Sequence, residues 1–218
     1  MTSATPPKRK IDSERRAEIG RERKARTRAR ILAVTFDIFG RENGLYARVE
    51  EVCEAAGITR QTFYNHFSGM DDLREALTWE VSHDFLVRVT AVLETMPDAA
   101  QRTACAIRYY LERGRLDCRW AWSIVNLSAN GVVFGSETFA QARSTVADGI
   151  ATGVFTVADE QIGRDLVMGA TLSALFTQLR DDCGTDYSSH VARAVLIGLG
   201  CKPAAAFKFS TDPLPPLS

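Results

Sequence analysis

Residues 49–67, VEEVCEAAGITRQTFYNHF, constrain the chain more than any other stretch. Val49, Val52, Cys53 and Ala56 fall at i, i+3, i+4 and i+7, which gives a short helix one buried face. Gly57 ends it, because glycine enters the left-handed turn conformation without a Cβ penalty. Ile58 follows as an apolar plug, and Thr59 offers a hydroxyl to the free amides of a second helix, expected over 60–66. Two short helices around a tight glycine turn form a helix-turn-helix, whose second helix enters a DNA major groove. Arg48 stands ready for a phosphate at the start of the first helix. Thr59, Tyr64 and His66 are candidates for phosphate, and Arg60, Gln61, Thr62 and Asn65 for base edges. Phe63 and Phe67 remain for packing.

Charge distribution supports a nucleic-acid partner. The chain is neutral, with 27 basic and 27 acidic residues, but residues 1–70 hold 14 Lys/Arg against 9 Asp/Glu. The rest carries the compensating acidity, and 11 of the basic residues lie between Lys8 and Arg30. A basic DNA-facing piece carried on an acidic body fits that split. The five cysteines show no C-x-x-C spacing, so they read as buried thiols of a reducing cytoplasm, without metal or disulfide framework. No stretch approaches the length of an apolar membrane span, and neither a membrane partner nor a cofactor is expected.

The whole chain reads as helix, because nothing alternates with period two for long. Residues 1–22 are expected to be a flexible basic arm, with 13–30 as a polar lead-in to the first helix, serving either as a DNA-contacting arm or as a solvated tail. The helix-turn-helix domain should occupy 23–70. A helical body should run over 71–201, opened by a long helix capped by Ser68 and stopped by Pro97. Gly131 and Gly135 bracket a loop, and a proline-containing tail, 202–218, is placed outside the core.

The run from Thr27 to Leu73 resembles the DNA-binding domain of the TetR family of bacterial transcriptional regulators. TRARILAVTFDIFGRENG, VEEVCEAAGI and TRQTFYNHF stand for its three helices, and Thr62, Tyr64, His66 and Phe67 are the most specific part. Three departures stand out: Ala47 and Arg48 replace the family's capping Ser or Thr, Gln61 replaces a common Gly, and Met70 replaces a basic residue. The resemblance implies an all-α protein: a three-helix DNA-binding domain followed by a helical ligand-binding and dimerisation domain. It further implies a homodimer on a palindromic double-stranded operator and a small-molecule effector.

For the dimer interface the small and apolar residues of the last two body helices are the candidates: Leu166, Ala170, Leu175, Leu179, Val191, Val195, Gly198 and Leu199. For the effector pocket, aromatics with polar neighbours are the candidates: Trp79, Phe85, Tyr109, Trp120, Trp122, Asn126, Phe176 and Gln178. The sequence holds three histidines, His66, His83 and His190, and no nucleophile elbow, zinc helix or phosphate loop, so no enzyme chemistry is assembled. A repressor released by a largely apolar metabolite is the leading expectation. A body that binds a protein partner, or an activator, remains open.

Overall fold

The structure, a computed structural model, describes residues 8–129 and 134–217. Among them every regular element is helical: α1 (Lys8–Phe39), α2 (Val49–Ala56), α3 (Arg60–Tyr64), α4 (Met70–Leu93), α5 (Ala99–Leu116), α6 (Cys118–Ser128), α7 (Ser136–Ala151), α8 (Glu160–Arg180), α9 (Tyr187–Gly198) and α10 (Pro203–Thr211). A single 3₁₀ turn, Gly44–Tyr46, links α1 to α2. None of the helices among the described residues is long and apolar enough to cross a membrane.

Two apolar clusters organise these helices. In the head, Ile31, Leu32 and Phe39 of α1 close over Val52, Cys53, Phe63 and Phe67, all buried. This cluster does not stop at residue 70, because Leu73 and Leu77 of α4 and Leu127 of α6 belong to it. The body clusters Phe85, Val89 and Leu93 of α4 with the inner faces of α5 to α9. One end of α4 therefore sits in the head and the other in the body, along a 24-residue rod of about 36 Å.

Direct bonds also join the two parts. Asn126 Nδ2 donates to the carbonyls of Phe39 and Arg41, both at 2.8 Å. Gly44 lies against this point, and a Cβ there would meet Asn126 Nδ2 at 2.9 Å and the Ile38 carbonyl at 2.6 Å. Arg119 pairs with Asp37 at 2.7 Å and Arg180 with Glu42 at 2.6 Å. Trp120 Nε1 donates to the Val81 carbonyl at 3.2 Å, tying α6 to α4.

Both ends of the chain differ from the sequence expectation. Residues 8–22, expected as a flexible arm, continue α1; residues 14–26 are exposed throughout. Their Arg, Lys, Glu and Ala are strong helix formers, which lets α1 continue through them as a lead-in to its packed half. The part of the arm over 1–7 lies outside the described residues, as does Gly131 of the expected loop. The tail is not outside the core. Pro203 starts α10, where its fixed φ suits a first helical turn. Ala206 is fully buried, Arg108 Nη1 donates to the Asp212 carbonyl at 2.6 Å, and Tyr109 Oη donates to the Pro215 carbonyl at 2.7 Å. Ala206 and Ser210, four residues apart on one side of α10, are the residues it buries. Helix α4 begins after Gly69, not on a Ser68 cap; the Ser68 amide donates instead to Asp72 Oδ2 at 2.8 Å.

Candidate nucleic-acid interface and effector cavity

The turn between α2 and α3 is built as its residues dictate. Gly57 adopts φ 61°, ψ 42°, and the Ile58 amide donates to the Cys53 carbonyl at 3.0 Å. Thr59 Oγ1 accepts from the Thr62 amide at 3.1 Å and lies 3.0 Å from Thr62 Oγ1. With Phe63 fully buried beneath it, α3 turns Arg60, Gln61, Tyr64 and Asn65 to solvent. Those side chains are partly pre-set. A hydrogen bond between Arg60 and Tyr64, and then the Arg60 pairing with Glu50 at 3.0 Å, hold the guanidinium above its ordinary pKa. Gln61 Nε2 donates to Asn65 Oδ1 at 3.3 Å, so the two amides share one orientation. Arg48 is exposed at the α2 N-cap position and makes no capping bond.

His66 sits lower, half-buried, with its Nδ1 enclosed and without a protein partner. Burial first, then the Lys24 and Arg28 charges, push its pKa below the ordinary value. Arg28 lies 4.9 Å from the centre of the Phe67 ring. Lys24 and Arg28 thus belong to the α3 surroundings, which sequence reasoning missed because the link crosses some forty residues. Tyr46, two residues before Arg48, is 77% exposed.

In the body, a cavity of about 60 Å³ lies between α4, α5, α7 and α8. Leu86, Val89, Thr90 and Leu93 of α4 form one wall, with Thr103, Ala106, Ile107 and Tyr110 of α5 across from it. Thr138, Gln141, Ala142 and Val146 of α7 and Val167, Met168 and Thr171 of α8 complete it. Phe134 also lines it, holding φ 60° while its buried ring meets Tyr110 edge-on at 4.9 Å. Local strain of this kind, on the order of 1–3 kcal/mol, persists only where packing fixes the residue.

None of the eight expected pocket residues lines this cavity. Phe85 and Trp120 stand one layer behind it, packing on Tyr110 at 5.0 and 6.0 Å. Tyr109 faces the tail, and Asn126 caps the end of α1. Trp79 is 54% exposed and stacks on His83, in a separate cleft beside Glu137. Trp122 and Phe176 meet edge-on at 6.0 Å, and Gln178, two residues beyond Phe176, is half-buried. Helical periodicity identifies inward faces, but which inward residues leave a gap depends on neighbours from other helices.

The expected interface residues divide in the same way. Leu175, Val195 and Leu199 are fully enclosed within the protomer's own core, so they are unavailable to a partner. Leu166, Ala170, Leu179 and Val191 are half-buried. Gly198 is exposed, and a Cβ there would meet Leu166 Cδ2 at 2.9 Å, so its small size lets α9 approach α8. Ile162, Leu166, Gly169, Ser173 and Phe176 step along one outward side of α8, and Ala194 and Ile197 stand outward on α9. Ile162, Phe176 and Ile197 are large apolar residues left exposed. The cysteines are mixed too. Cys53, Cys105 and Cys201 are buried, and burial raises their thiol pKa values, whereas Cys118 is exposed at the first position of α6.

A helical protein with a helix-turn-helix head on a cavity-bearing body is a DNA-binding regulator in outline, and comparison with known proteins agrees. The family model described as bacterial regulatory proteins, tetR family, matches residues 31–77, and that described as tetracyclin repressor-like, C-terminal domain, matches residues 98–209. The chain belongs to the TetR family of bacterial transcription regulators. RolR in complex with resorcinol superposes with a TM-score of 0.73 at 24% identity, covering 90% of this chain and 99% of that one. FadR from Bacillus subtilis in complex with stearoyl-CoA gives 0.60 at 18% identity, covering 78% and 96%. A TetR-family regulator from Pectobacterium atrosepticum gives 0.55 at 23% identity, covering 82% and 96%. No curated protein matches the sequence significantly.

Proposed function

We propose that this regulator is a homodimeric repressor that leaves a palindromic operator when a small, largely apolar effector enters the body. The observation that carries this reading is the shared rod: residues of α4 wall the cavity at one end and fill the head's core at the other. At about 60 Å³ the cavity is smaller than the about 150 Å³ site that holds benzene in an engineered protein core. An effector of even one ring must therefore displace its walls, α4 among them. A ligand that fits only the expanded arrangement shifts the population toward it, whereas one with equal affinity for both shifts nothing.

One α3 reads too little DNA, and a two-fold dimer sets two of them one helical turn apart, ~34–36 Å. The exposed apolar residues of α8 and α9 offer the self-complementary face such a dimer needs. On each half-site Arg60, Gln61, Thr62 and Asn65 address base edges, while Arg48, Thr59, Tyr64 and His66 address phosphates. Any displacement of α4 changes the spacing of the two α3 helices. A cavity walled by four helices and lined mainly by apolar side chains favours a metabolite over a protein partner. RolR and FadR, two neighbours in fold, were each crystallised with a small molecule.

The test begins with selection of bound sequences from a random DNA pool. Fluorescence anisotropy on the selected site then follows release by a metabolite panel. The expected result is an inverted-repeat site and an effector that raises the dissociation constant at least tenfold. A monomer without sequence preference, or a dimer whose DNA affinity no metabolite changes, overturns the proposal.

A further inference from the structure

The leading half of α1 carries strong charge that the protomer's own packing does not account for. Between Glu14 and Arg30 the helix holds eight Arg or Lys against three Glu. Residues 14–26 are exposed throughout, so this stretch contributes no buried side chain to the head. Arginines elsewhere pair with carboxylates, as Arg113 does with Asp117, Arg119 with Asp37 and Arg180 with Glu42. Among the described residues no salt bridge joins Arg21, Arg23, Lys24 or Arg28 to a carboxylate.

The two signs are also separated around the helix. At 3.6 residues per turn, Glu14, Glu18 and Glu22 follow one another along one stripe. Arg16, Arg21, Arg23, Lys24 and Arg28 fall within a half-circumference that holds none of these glutamates, so one side of the rod is positive along its length. Ile19 is the single large apolar side chain between Glu14 and Arg30, which leaves no face for a lipid surface.

This positive side is continuous with the surroundings of α3. Arg28 lies 4.9 Å from the centre of the Phe67 ring, and Lys24 and Arg28 are the charges beside His66. The opposite end of α1 is tied to the body through the Phe39 and Arg41 carbonyls. The exposed half therefore projects past α3 and away from the body, toward the side on which α3 meets DNA. From Arg28 back to Glu14 it measures ~21 Å, the length of about six base pairs at 3.4 Å each. A helix about 10–12 Å across does not enter a minor groove about 6 Å wide, so the rod rests on phosphates and reads no bases.

We propose that residues 14–28 of α1 form a second DNA-binding element, a basic rod that lies along the phosphates flanking each half-site. This rests on the operator-binding part of the reading above and is independent of induction. Because phosphate contacts position a protein without reading sequence, the rod lengthens the footprint and strengthens the grip without narrowing the site.

The test uses the full-length protein and two duplexes in fluorescence anisotropy, one ending at the selected half-sites and one extended by about eight base pairs of arbitrary sequence on each side, longer than the rod's reach. The extended duplex is expected to bind about tenfold tighter, with a steeper dependence of affinity on salt. Arg21→Gln with Arg23→Gln, one turn beyond the pair beside His66, should lose most of that gain and change affinity for the short duplex less than about twofold. Ala25→Pro keeps every charge but breaks the rod; it should lose the same gain, with circular dichroism and a melting curve confirming that the rest of the fold stands. Glu18→Gln with Glu22→Gln alters net charge by the same amount in the opposite sense, and should change affinity for either duplex less than about twofold.

Equal affinity of the wild type for the two duplexes overturns the inference, as does a full flanking gain in the Arg21→Gln, Arg23→Gln or Ala25→Pro proteins. A gain in the glutamate variant as large as the loss in the arginine variant also overturns it, since the effect then belongs to the overall field and not to this face. The two proposals fail separately. A protein that selects a site but ignores its flanks refutes the rod alone. Where no preferred site emerges, the operator reading fails, and the same comparison on short and extended unselected duplexes still decides the rod.

Discussion

Replacing Asn126 with alanine should loosen the joint between body and head. The amide donates to two backbone carbonyls, Phe39 and Arg41, at 2.8 Å each, and the residue is 5% exposed. Each hydrogen bond contributes about 1 kcal/mol net, and the Phe39 carbonyl left without its donor adds part of a further 1–3 kcal/mol, whereas the Arg41 carbonyl keeps the Gly44 amide at 3.0 Å. Water reaching the half-open Arg41 side offsets some of this, so a loss of about 2–4 kcal/mol is expected. In a chain of this size each kcal/mol moves the melting temperature by about 2–4 °C, which gives a drop of about 5–15 °C. Differential scanning calorimetry measures it directly. Asn126→Asp provides the chemical control, since it keeps the shape and turns the donor into an acceptor facing two carbonyls. That carboxyl should have a folded pKa above its unfolded value of about 3.9. Its destabilisation is therefore full at neutral pH and recedes as pH falls through the folded pKa. An Asn126→Ala protein melting within about 1 °C of wild type would refute the claim that this amide clamps α1.

Four further outcomes follow from the surface and the head. Phe176→Glu together with Ile197→Glu should give a monomer by sedimentation velocity and weaken operator binding at least tenfold, since both side chains are exposed on the outward faces of α8 and α9. Gln61→Ala should cost ~1–3 kcal/mol of preference at one base position in a binding-site selection, while Lys24→Ala with Arg28→Ala should weaken all sequences alike and flatten the salt dependence. For His66, burial and neighbouring cations depress the folded pKa, so its contribution to stability is complete above the unfolded value of about 6.5 and is lost as pH falls below it. His66→Gln should flatten that acid-side slope in thermal melts; an unchanged slope assigns it to other groups.

The sequence alone determined what depends on near neighbours along the chain. The glycine turn, the threonine cap and the buried Phe63 follow from residues within one or two turns of each other, so the helix-turn-helix was legible, as was the helical class. Alanine-rich α10 shows the boundary of such reasoning. The four prolines of 202–218 suggested a free tail, yet Ala206 and the Tyr109 bond to Pro215 fix that stretch to the body. Only the tertiary structure decided where the interior leaves space and which apolar residues stay outside. Trp120 and Phe85 were reasonable pocket residues, but they close-pack, and the gap opens beside smaller Thr103, Ala106 and Ala142. Leu175 and Leu199 carry the same small-and-apolar pattern as Ile162 and Phe176, and they lie on opposite sides of the protein surface. A helical period fixes which residues share a face. Whether that face meets its own chain, a cavity or a second copy depends on contacts between residues far apart in sequence, which no local pattern records.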